Sequence, residues 1–346
     1  MKIPIENIYY LLCYAWNKLD EKDRVQVSAE DITQLVDLFA KVLINGTRIL
    51  LKRGLEKNYI SETVELAGIK GKLELSSTLK AGLQHKQRTL CTIDEFSADI
   101  ITNRILVSTL YRLLRIKEID RELRQQIKSV IRMLPVVTPI ELRKRDFQSI
   151  RYHRNNRFYA FLMHICEMIY DNTLPGKNAG EINFIDFTRD EHKMNQLFEA
   201  FIRNYYRKKH PKWKVSRTQI KWQFSPVDSE KSLQYLPIME TDITIDQGET
   251  KIIMDAKYYQ RTLTTHYDKE RIHSGNLYQL FSYLLNQRDG TPKTQNATGI
   301  LLYPTIDQDY DLAYQYDTHQ IMIKTLNLNM HWSKIEQRLE EVVVGA

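Results

Sequence analysis

Residues 239–259 read METDITIDQGETKIIMDAKYY and place three charged side chains in strongly apolar surroundings. The run from 252 to 254 is entirely apolar and is followed at once by Asp255 and, two positions later, by Lys257. Such a run predicts a β-strand that is buried on both faces. Because alternate residues of a strand point to the same face, Asp255 and Lys257 share one face. A buried aspartate is costly unless another group compensates its charge.

A second aspartate, Asp242, lies thirteen residues upstream on its own β-like run, beyond the turn signal Gln247-Gly248. Antiparallel pairing of the two strands would bring Asp242 close to Asp255. Two neighbouring carboxylates repel each other unless a divalent cation lies between them. Mg²⁺ prefers oxygen ligands, which the two carboxylates, a backbone carbonyl such as that of Ala256, and phosphate oxygens would supply. With Lys257 beside an attacking water, this set predicts phosphodiester hydrolysis.

Two helices next to these strands offer further candidates. Glu199, in the helical pattern LFEAF before the strands, could supply another acid. Gln279 and Tyr283 in the helix after them are four residues apart and therefore share a face. Each feature also has a structural interpretation. The D-x-K pattern could be an ion pair, Glu199 a surface residue, and Gln279 an amide that bonds to the sheet.

The composition is that of a soluble globular protein of about two domains. The 346 residues carry a net charge of +7, which suits a polyanionic partner such as nucleic acid. Three distant cysteines without CxxC spacing fit a reducing compartment and exclude a zinc-finger pattern. We find no signal peptide, and no apolar run approaches the ~20 residues that span a bilayer. The expected location is therefore cytoplasmic, with no membrane partner.

The periodicity divides the chain at a segment rich in Gly and Pro between 171 and 187. Residues 1–175 are predicted to be an α+β domain, mostly helical, with a small β element between Tyr59 and about Lys80. In this domain Ser97 is the predicted N-cap of a helix over 96–116. Residues 181–346 are predicted to be one mixed α/β domain, with a possible strand at IKWQF.

The order of these residues resembles the core of the PD-(D/E)xK, or restriction-endonuclease-like, nucleases. In that core an acid on a helix is followed by Asp, D-x-K and Q-x-x-x-Y, although METD stands here in place of the usual Pro-Asp. Over most of its length the chain also resembles the McrC family, the nuclease subunits of McrBC restriction systems. The segments that carry this resemblance are NIYYLLCYAW, IKGKLEL, the helix with Asn103-Arg104, METDITI, DAKYY and NLYQL.

The resemblance implies that Asp242 and Asp255 bind Mg²⁺ and that Lys257 serves the attacking water. It implies catalytic roles for Glu199 and Gln279 less directly. It also implies an AAA+ GTPase ring as partner (McrB in that family), docked on residues 1 to about 175, and double-stranded DNA containing methylcytosine as substrate. The chain has no GxxxxGK[ST] motif, so GTP would be bound by the partner.

Two other functions stay open from the sequence. One is a nuclease that acts without a GTPase in repair or defence, and the other is a non-catalytic activator of an AAA+ ring. Arg53, Lys70 and Lys72 are candidates for ring contacts or simply solvated charges. The basic stretches 143–159 and 205–214 interleave cations with aromatics and could follow DNA phosphates.

Overall fold

The computed structural model describes residues 3–22, 32, 34–153, 156–176, 180–227, 229–259, 264–266, 269–306 and 309–344. The chain forms two compact units. Unit 1 contains Met1–Asp23 and Asp186–Ala346, and unit 2 contains Arg24–Ile185. In the described part of the chain, every helix is too short or too polar to cross a membrane.

The described residues form twelve α-helices: α1 Ile5–Ala15, α2 Leu19–Lys22, α3 Leu35–Arg53, α4 Leu75–Lys80, α5 Ile101–Leu114, α6 Arg121–Met133, α7 Lys144–Gln148, α8 Arg157–Asp171, α9 Glu191–Lys209, α10 Ser274–Asn286, α11 Pro292–Gln295 and α12 Trp332–Val343.

They also form fifteen strands: β1 Asn58–Leu66, β2 Lys72–Leu73, β3 Thr89–Ser97, β4 Thr173–Pro175, β5 Ile182–Phe184, β6 Lys214–Ser216, β7 Gln219–Ile220, β8 Met239–Glu240, β9 Ile243–Asp246, β10 Lys251–Ala256, β11 Thr264–His266, β12 Lys269–Arg271, β13 Thr298–Thr305, β14 Asp311–Tyr316 and β15 His319–Asn327.

Unit 1 is built on a six-stranded mixed sheet with the order β14–β15–β13–β10–β9–β6. Strands β15, β13 and β10 run parallel, and the other neighbours are antiparallel. Helix α10 connects β10 to β13 and packs on one face, where Gly299 lets Leu280 and Leu284 lie directly on the sheet. Almost every residue of β10 and β13 is buried, as expected for central strands. The predicted mixed α/β architecture is confirmed.

Helix α1 belongs to unit 1, where it packs against α9. Tyr10 stacks on Trp332 with ring centroids 4.3 Å apart. Asn7 is buried and donates hydrogen bonds to the carbonyls of Leu328 and Met330 at 2.8 and 2.9 Å. The predicted N-terminal domain 1–175 is therefore corrected at its start, because the apolar face and Asn7 of α1 find their partners far along the chain.

The predicted linker and one predicted strand also differ from the structure. The segment rich in Gly and Pro carries β4 and β5, which pair antiparallel within unit 2, and the units divide at Asp186. The strand expected at IKWQF is limited to β7, which pairs with β8, and residues 221–226 have no regular structure. Neither segment offers the longer apolar alternation that a central strand needs.

Unit 2 is mostly helical and carries a three-stranded sheet with the order β1–β3–β2. The third strand, β3, was not predicted, although it pairs with β1 over nine residues. Ser97 is the last residue of β3 and not a helix N-cap, because its pairing with Asn58 keeps the backbone extended. Helix α5 begins at Ile101, and Ser97 Oγ instead accepts a hydrogen bond from the backbone of Asp99 at 3.1 Å.

Asn103 on α5 holds together three separate parts of unit 2. Its side chain is 1% exposed, and Nδ2 donates to the carbonyls of Glu56 and Ala98 at 2.9 and 2.7 Å. Oδ1 accepts from the Tyr159 hydroxyl at 2.8 Å, and that hydroxyl accepts from the Glu56 amide at 2.9 Å. Within the McrC-like segment Asn103-Arg104, the asparagine is thus a structural residue.

We expect Asn103→Ala to lower the free energy of unfolding of unit 2 by about 2–4 kcal/mol, because the buried Tyr159 hydroxyl loses its acceptor and the carbonyls of Glu56 and Ala98 each lose a donor. Native-state hydrogen exchange of α5 and α8 amides in the full chain measures this effect. The matched control is Asn183→Ala on exposed β5, with an expected change below about 0.5 kcal/mol. Equal exchange in both variants would contradict the assignment.

The two basic stretches differ from the expectation in their aromatic residues. Tyr205 and Tyr206 are fully buried in unit 1, because they belong to the apolar face of α9. In the first stretch Phe147, Phe158 and Tyr159 are also buried. These five aromatic rings are too buried to lie on a nucleic-acid surface, so that part of the prediction is wrong.

Candidate metal and catalytic site

Asp242 lies where one extended segment breaks into two short strands, β8 and β9. Strand β9 pairs antiparallel with β10, and the last pair of their register is Ile243 with Met254. Continuing this register by one position sets Asp242 opposite Asp255. Both residues are buried, with 6% and 0% of their surfaces exposed. The predicted antiparallel juxtaposition of the two aspartates is confirmed.

Lys257 lies between the two carboxylates. Its Nζ donates a hydrogen bond to Asp242 Oδ2 at 3.1 Å and forms an ion pair with Asp255 Oδ1, also at 3.1 Å. The second contact is not aligned as a hydrogen bond. Within the described residues, both carboxylate oxygens of Asp255 are therefore buried without a hydrogen-bond donor. Such a group stays in a folded protein only if another interaction compensates it.

The charges of this site shift the pKa values of its members. Burial, followed by the negative charge of Asp242, raises the pKa of Asp255 to about 8, and Lys257 only partly offsets this effect. Burial alone would lower the pKa of Lys257, but the two carboxylates raise it above its ordinary value. The site thus holds a firmly protonated lysine and a carboxylate with too little positive charge around it.

Helix α9 places three polar side chains against this site at intervals of four residues. Arg203 Nη1 donates to the backbone carbonyl of Asp242 at 3.1 Å. Asn195 Oδ1 accepts from the Tyr258 amide at 2.7 Å, and Asn195 Nδ2 donates to Glu199 Oε1. Burial and then the negative charge of Asp242 raise the pKa of Glu199.

Helix α10 approaches the site from the other direction. Gln279 Nε2 donates to the Tyr283 hydroxyl at 2.6 Å, and that hydroxyl donates to the carbonyl of Glu240 at 2.7 Å. Burial and then the charges of Asp255 and Asp242 raise the pKa of Tyr283. Gln279 is therefore linked to the Glu240 carbonyl on β8 through the Tyr283 hydroxyl, while Glu199 accepts a hydrogen bond from Asn195. A catalytic role for Gln279 or Glu199 stays a prediction.

Sequence reasoning missed Asn195 and Arg203. Both lie four residues from Glu199 on α9, and this regular spacing is the signal that could have found them. Their roles depend on contacts with backbone atoms of Tyr258 and Asp242, which periodicity does not reveal.

The residues present fit a hard divalent cation. Two adjacent buried carboxylates that share one lysine supply the ligand type that Mg²⁺ prefers. In the described residues, no group of three His, Cys, Asp or Glu side chains could hold a metal. Further ligands would therefore be waters, phosphate oxygens and the Ala256 carbonyl, as Mg²⁺ commonly takes only one or two protein carboxylates.

The fold and this site define a mixed α/β protein with an Asp–Asp–Lys cluster at the ends of adjacent strands. The model of the family McrBC 5-methylcytosine restriction system component matches residues 6–304. The chain belongs to this family, and the resemblance to McrC is confirmed.

A relative and a solved structure agree with this membership. The chain is 35% identical over 342 residues to the type IV methyl-directed restriction enzyme EcoKMcrBC of Escherichia coli K12, covering 98% of this chain and 97% of the relative. It also resembles a chain in a half-complex of McrB AAA+ hexamers with bound McrC from Thermococcus gammatolerans. The TM-score is 0.62 at 18% identity, over 98% of this chain and 75% of that one, which shows a shared fold.

Proposed function

We propose that this chain is the Mg²⁺-dependent endonuclease subunit, of the PD-(D/E)xK class, in a GTP-dependent restriction complex that cleaves DNA containing 5-methylcytosine. The observation that carries the proposal is the pair of buried, facing carboxylates of Asp242 and Asp255, which share the single cation Lys257, while no described residue donates a hydrogen bond to Asp255 Oδ2. A purely structural arrangement would match each buried carboxylate with its own cation. Two carboxylates that share one lysine leave negative charge that a divalent cation can balance.

Each residue of the cluster has a distinct role in this proposal. Asp242, Asp255 and the Ala256 carbonyl would hold Mg²⁺, which when bound activates water and polarises the phosphate. Lys257 stays protonated because both carboxylates raise its pKa, so it acts as a donor and positive charge beside the phosphate. Glu199 lies at the edge of the same site and can orient a water or accept its proton.

The partner in this proposal is an AAA+ GTPase ring that reads the modified base. The structurally similar Thermococcus chain is described with McrB AAA+ hexamers and bound McrC. We assign ring docking and stimulation of GTP hydrolysis to unit 2. Lys70 is exposed in the connection between β1 and β2. Lys72 pairs with Glu74 at 3.1 Å, and Arg53 lies over the Phe158 ring at 5.8 Å.

Reconstitution tests this function. We expect the purified chain to cut methylated DNA only when Mg²⁺, GTP and its AAA+ partner are all present, and to leave unmethylated DNA intact. The measurement is plasmid linearisation, read together with phosphate release from GTP. Omission of each component in turn is the internal control.

Two results would contradict the proposal. Cleavage by the chain alone would favour a stand-alone nuclease of repair or defence. Stimulated GTP hydrolysis without any cut would favour a non-catalytic activator of the ring.

A further inference from the structure

Helix α9 contacts the backbone on both sides of the candidate site. At one end, the Tyr258 amide donates to Asn195 Oδ1 at 2.7 Å, immediately after Lys257. At the other end, Arg203 Nη1 donates to the carbonyl of Asp242 at 3.1 Å. Glu199, midway between them, is bound by Asn195 Nδ2. One helix face thus contacts both segments that carry the aspartates and the lysine.

These contacts lie where β9 and β10 stop pairing with each other, although β10 stays paired with β13 through Ala256 and the Lys257 amide donates to the Leu302 carbonyl at 3.1 Å. The pairing of β9 with β10 ends at Ile243 and Met254, one residue before the two aspartates. Asp242 lies in the break between β8 and β9, and Tyr258 follows the end of β10. An α-helix advances about 1.5 Å per residue, so positions eight residues apart are held about 12 Å apart. The helix can therefore fix the separation of the two segments.

The polar contacts are not needed to pack α9 against its neighbours. Its apolar face, with Met194, Phe198, Phe201 and Ile202 almost fully buried, already anchors the helix. The Asn195 amide has one satisfied orientation, since Oδ1 accepts from a backbone amide and Nδ2 donates to a carboxylate. Both hydrogen bonds of the Asn195 side chain therefore go to groups of the candidate site, the Tyr258 backbone and Glu199.

We propose that Asn195 and Arg203 are positioning residues that hold the Lys257 and Asp242 segments at a fixed separation, and that Asn195 also orients Glu199. The inference rests on the proposed nuclease function of this site. It assigns no contact with DNA to either residue. Residues that orient metal ligands typically change metal affinity or activity by about 10–100-fold when they are replaced.

The test compares two asparagines of the same helix in the full reconstituted complex. Asn195→Ala should lower kcat for cleavage of methylated DNA by about 10–100-fold, with KM for DNA changed by less than about twofold. Asn204→Ala is the matched control, because Asn204 is also partly buried and donates to the carbonyls of Tyr14 and Ala15 on α1. Its cleavage should equal that of the unmodified chain.

A second readout does not depend on cleavage. Isothermal titration of the free chain with Mg²⁺ should show affinity reduced by about tenfold or more in Asn195→Ala and in Arg203→Met. Arg203→Lys keeps a donor and a charge, and should recover part of this loss. Because Arg203 is replaced independently, the test stands even if the Asn195 variant does not fold.

The outcomes separate this inference from the proposed function. If Asp255→Asn is inactive but Asn195→Ala and Arg203→Met cleave and bind Mg²⁺ normally, the positioning role is overturned and the nuclease function stands. If Asn195→Ala and Asn204→Ala lose cleavage and melting temperature in parallel, the role is only structural and the inference is also overturned. If Asp255→Asn still cleaves, both proposals fail.

Discussion

Asp255→Asn should abolish DNA cleavage by the reconstituted complex while leaving the free energy of unfolding at pH 7 unchanged or higher. The substitution keeps the shape of the side chain and removes one anionic ligand. Loss of several kcal/mol of transition-state stabilisation corresponds to a rate reduction of about 10³-fold or more. We therefore expect no cleavage above background in a plasmid assay.

The stability half of this prediction follows from the pKa of Asp255. Burial and Asp242 raise it to about 8, so in the metal-free protein the carboxyl is largely protonated at pH 7. In the unfolded chain the same group is ionised above about pH 4. Between about pH 4 and pH 8, Asp255 is ionised mainly in the unfolded chain. The free energy of unfolding therefore falls as the pH rises through this range, and the full loss is present above about pH 8. The asparagine variant should gain stability relative to the unmodified chain at pH 9.

The matched control is Asp246→Asn at the far end of β9. Asp246 forms an ion pair with Lys293 at 2.5 Å, and that lysine together with the Gly248 amide lowers the pKa of its carboxyl despite some burial. This variant should cleave normally and lose stability at pH 7. Urea unfolding of both variants at pH 7 and 9, with cleavage measured in parallel, decides between a functional and a structural carboxylate. An inactive Asp255→Asn that is also strongly destabilised at pH 7 would contradict the argument.

The Asp242, Asp255 and Lys257 cluster could be predicted because its information is local. The alternation of a strand places Asp255 and Lys257 on one face, and a pair of short strands with a Gly248 turn brings Asp242 across from them. These three charged residues can be recognised in the sequence because they interrupt otherwise apolar runs.

Other parts of the site and fold depend on contacts between distant segments. In the sequence, nothing distinguishes Asn195 from the other polar residues of α9. Its role follows from the hydrogen bond that it accepts from the Tyr258 amide. The assignment of α1 to unit 1 depends on the stacking of Tyr10 on Trp332, which lie more than three hundred residues apart in sequence. Helix periodicity says that α1 has an apolar face but not which surface that face covers.

Lys257→Met should lower cleavage by about 10²–10³-fold and at the same time increase the stabilisation that Mg²⁺ gives to the folded chain. Lys257 Nζ is 3.1 Å from both Asp242 Oδ2 and Asp255 Oδ1 and is the cation nearest to them in the described residues. Its removal should cost about 1–3 kcal/mol at pH 7, less than a typical broken buried pair, because Asp255 is already largely protonated and only Asp242 loses a full counter-charge. A bound divalent cation would replace the lost positive charge, so the increase in melting temperature with Mg²⁺ should exceed that of the unmodified chain.

Cleavage at saturating Mg²⁺ distinguishes a lysine that serves the reaction from one that only balances charge. If Lys257 acts on the phosphate or the attacking water, Mg²⁺ restores the melting temperature of the variant but not its cleavage rate. If it only balances the carboxylates, both recover together, which would contradict its assigned role. Lys293→Met is the matched control, because Lys293 is also partly buried and ion-paired, with Asp246. That variant should lose stability irrespective of Mg²⁺ and cleave at the normal rate.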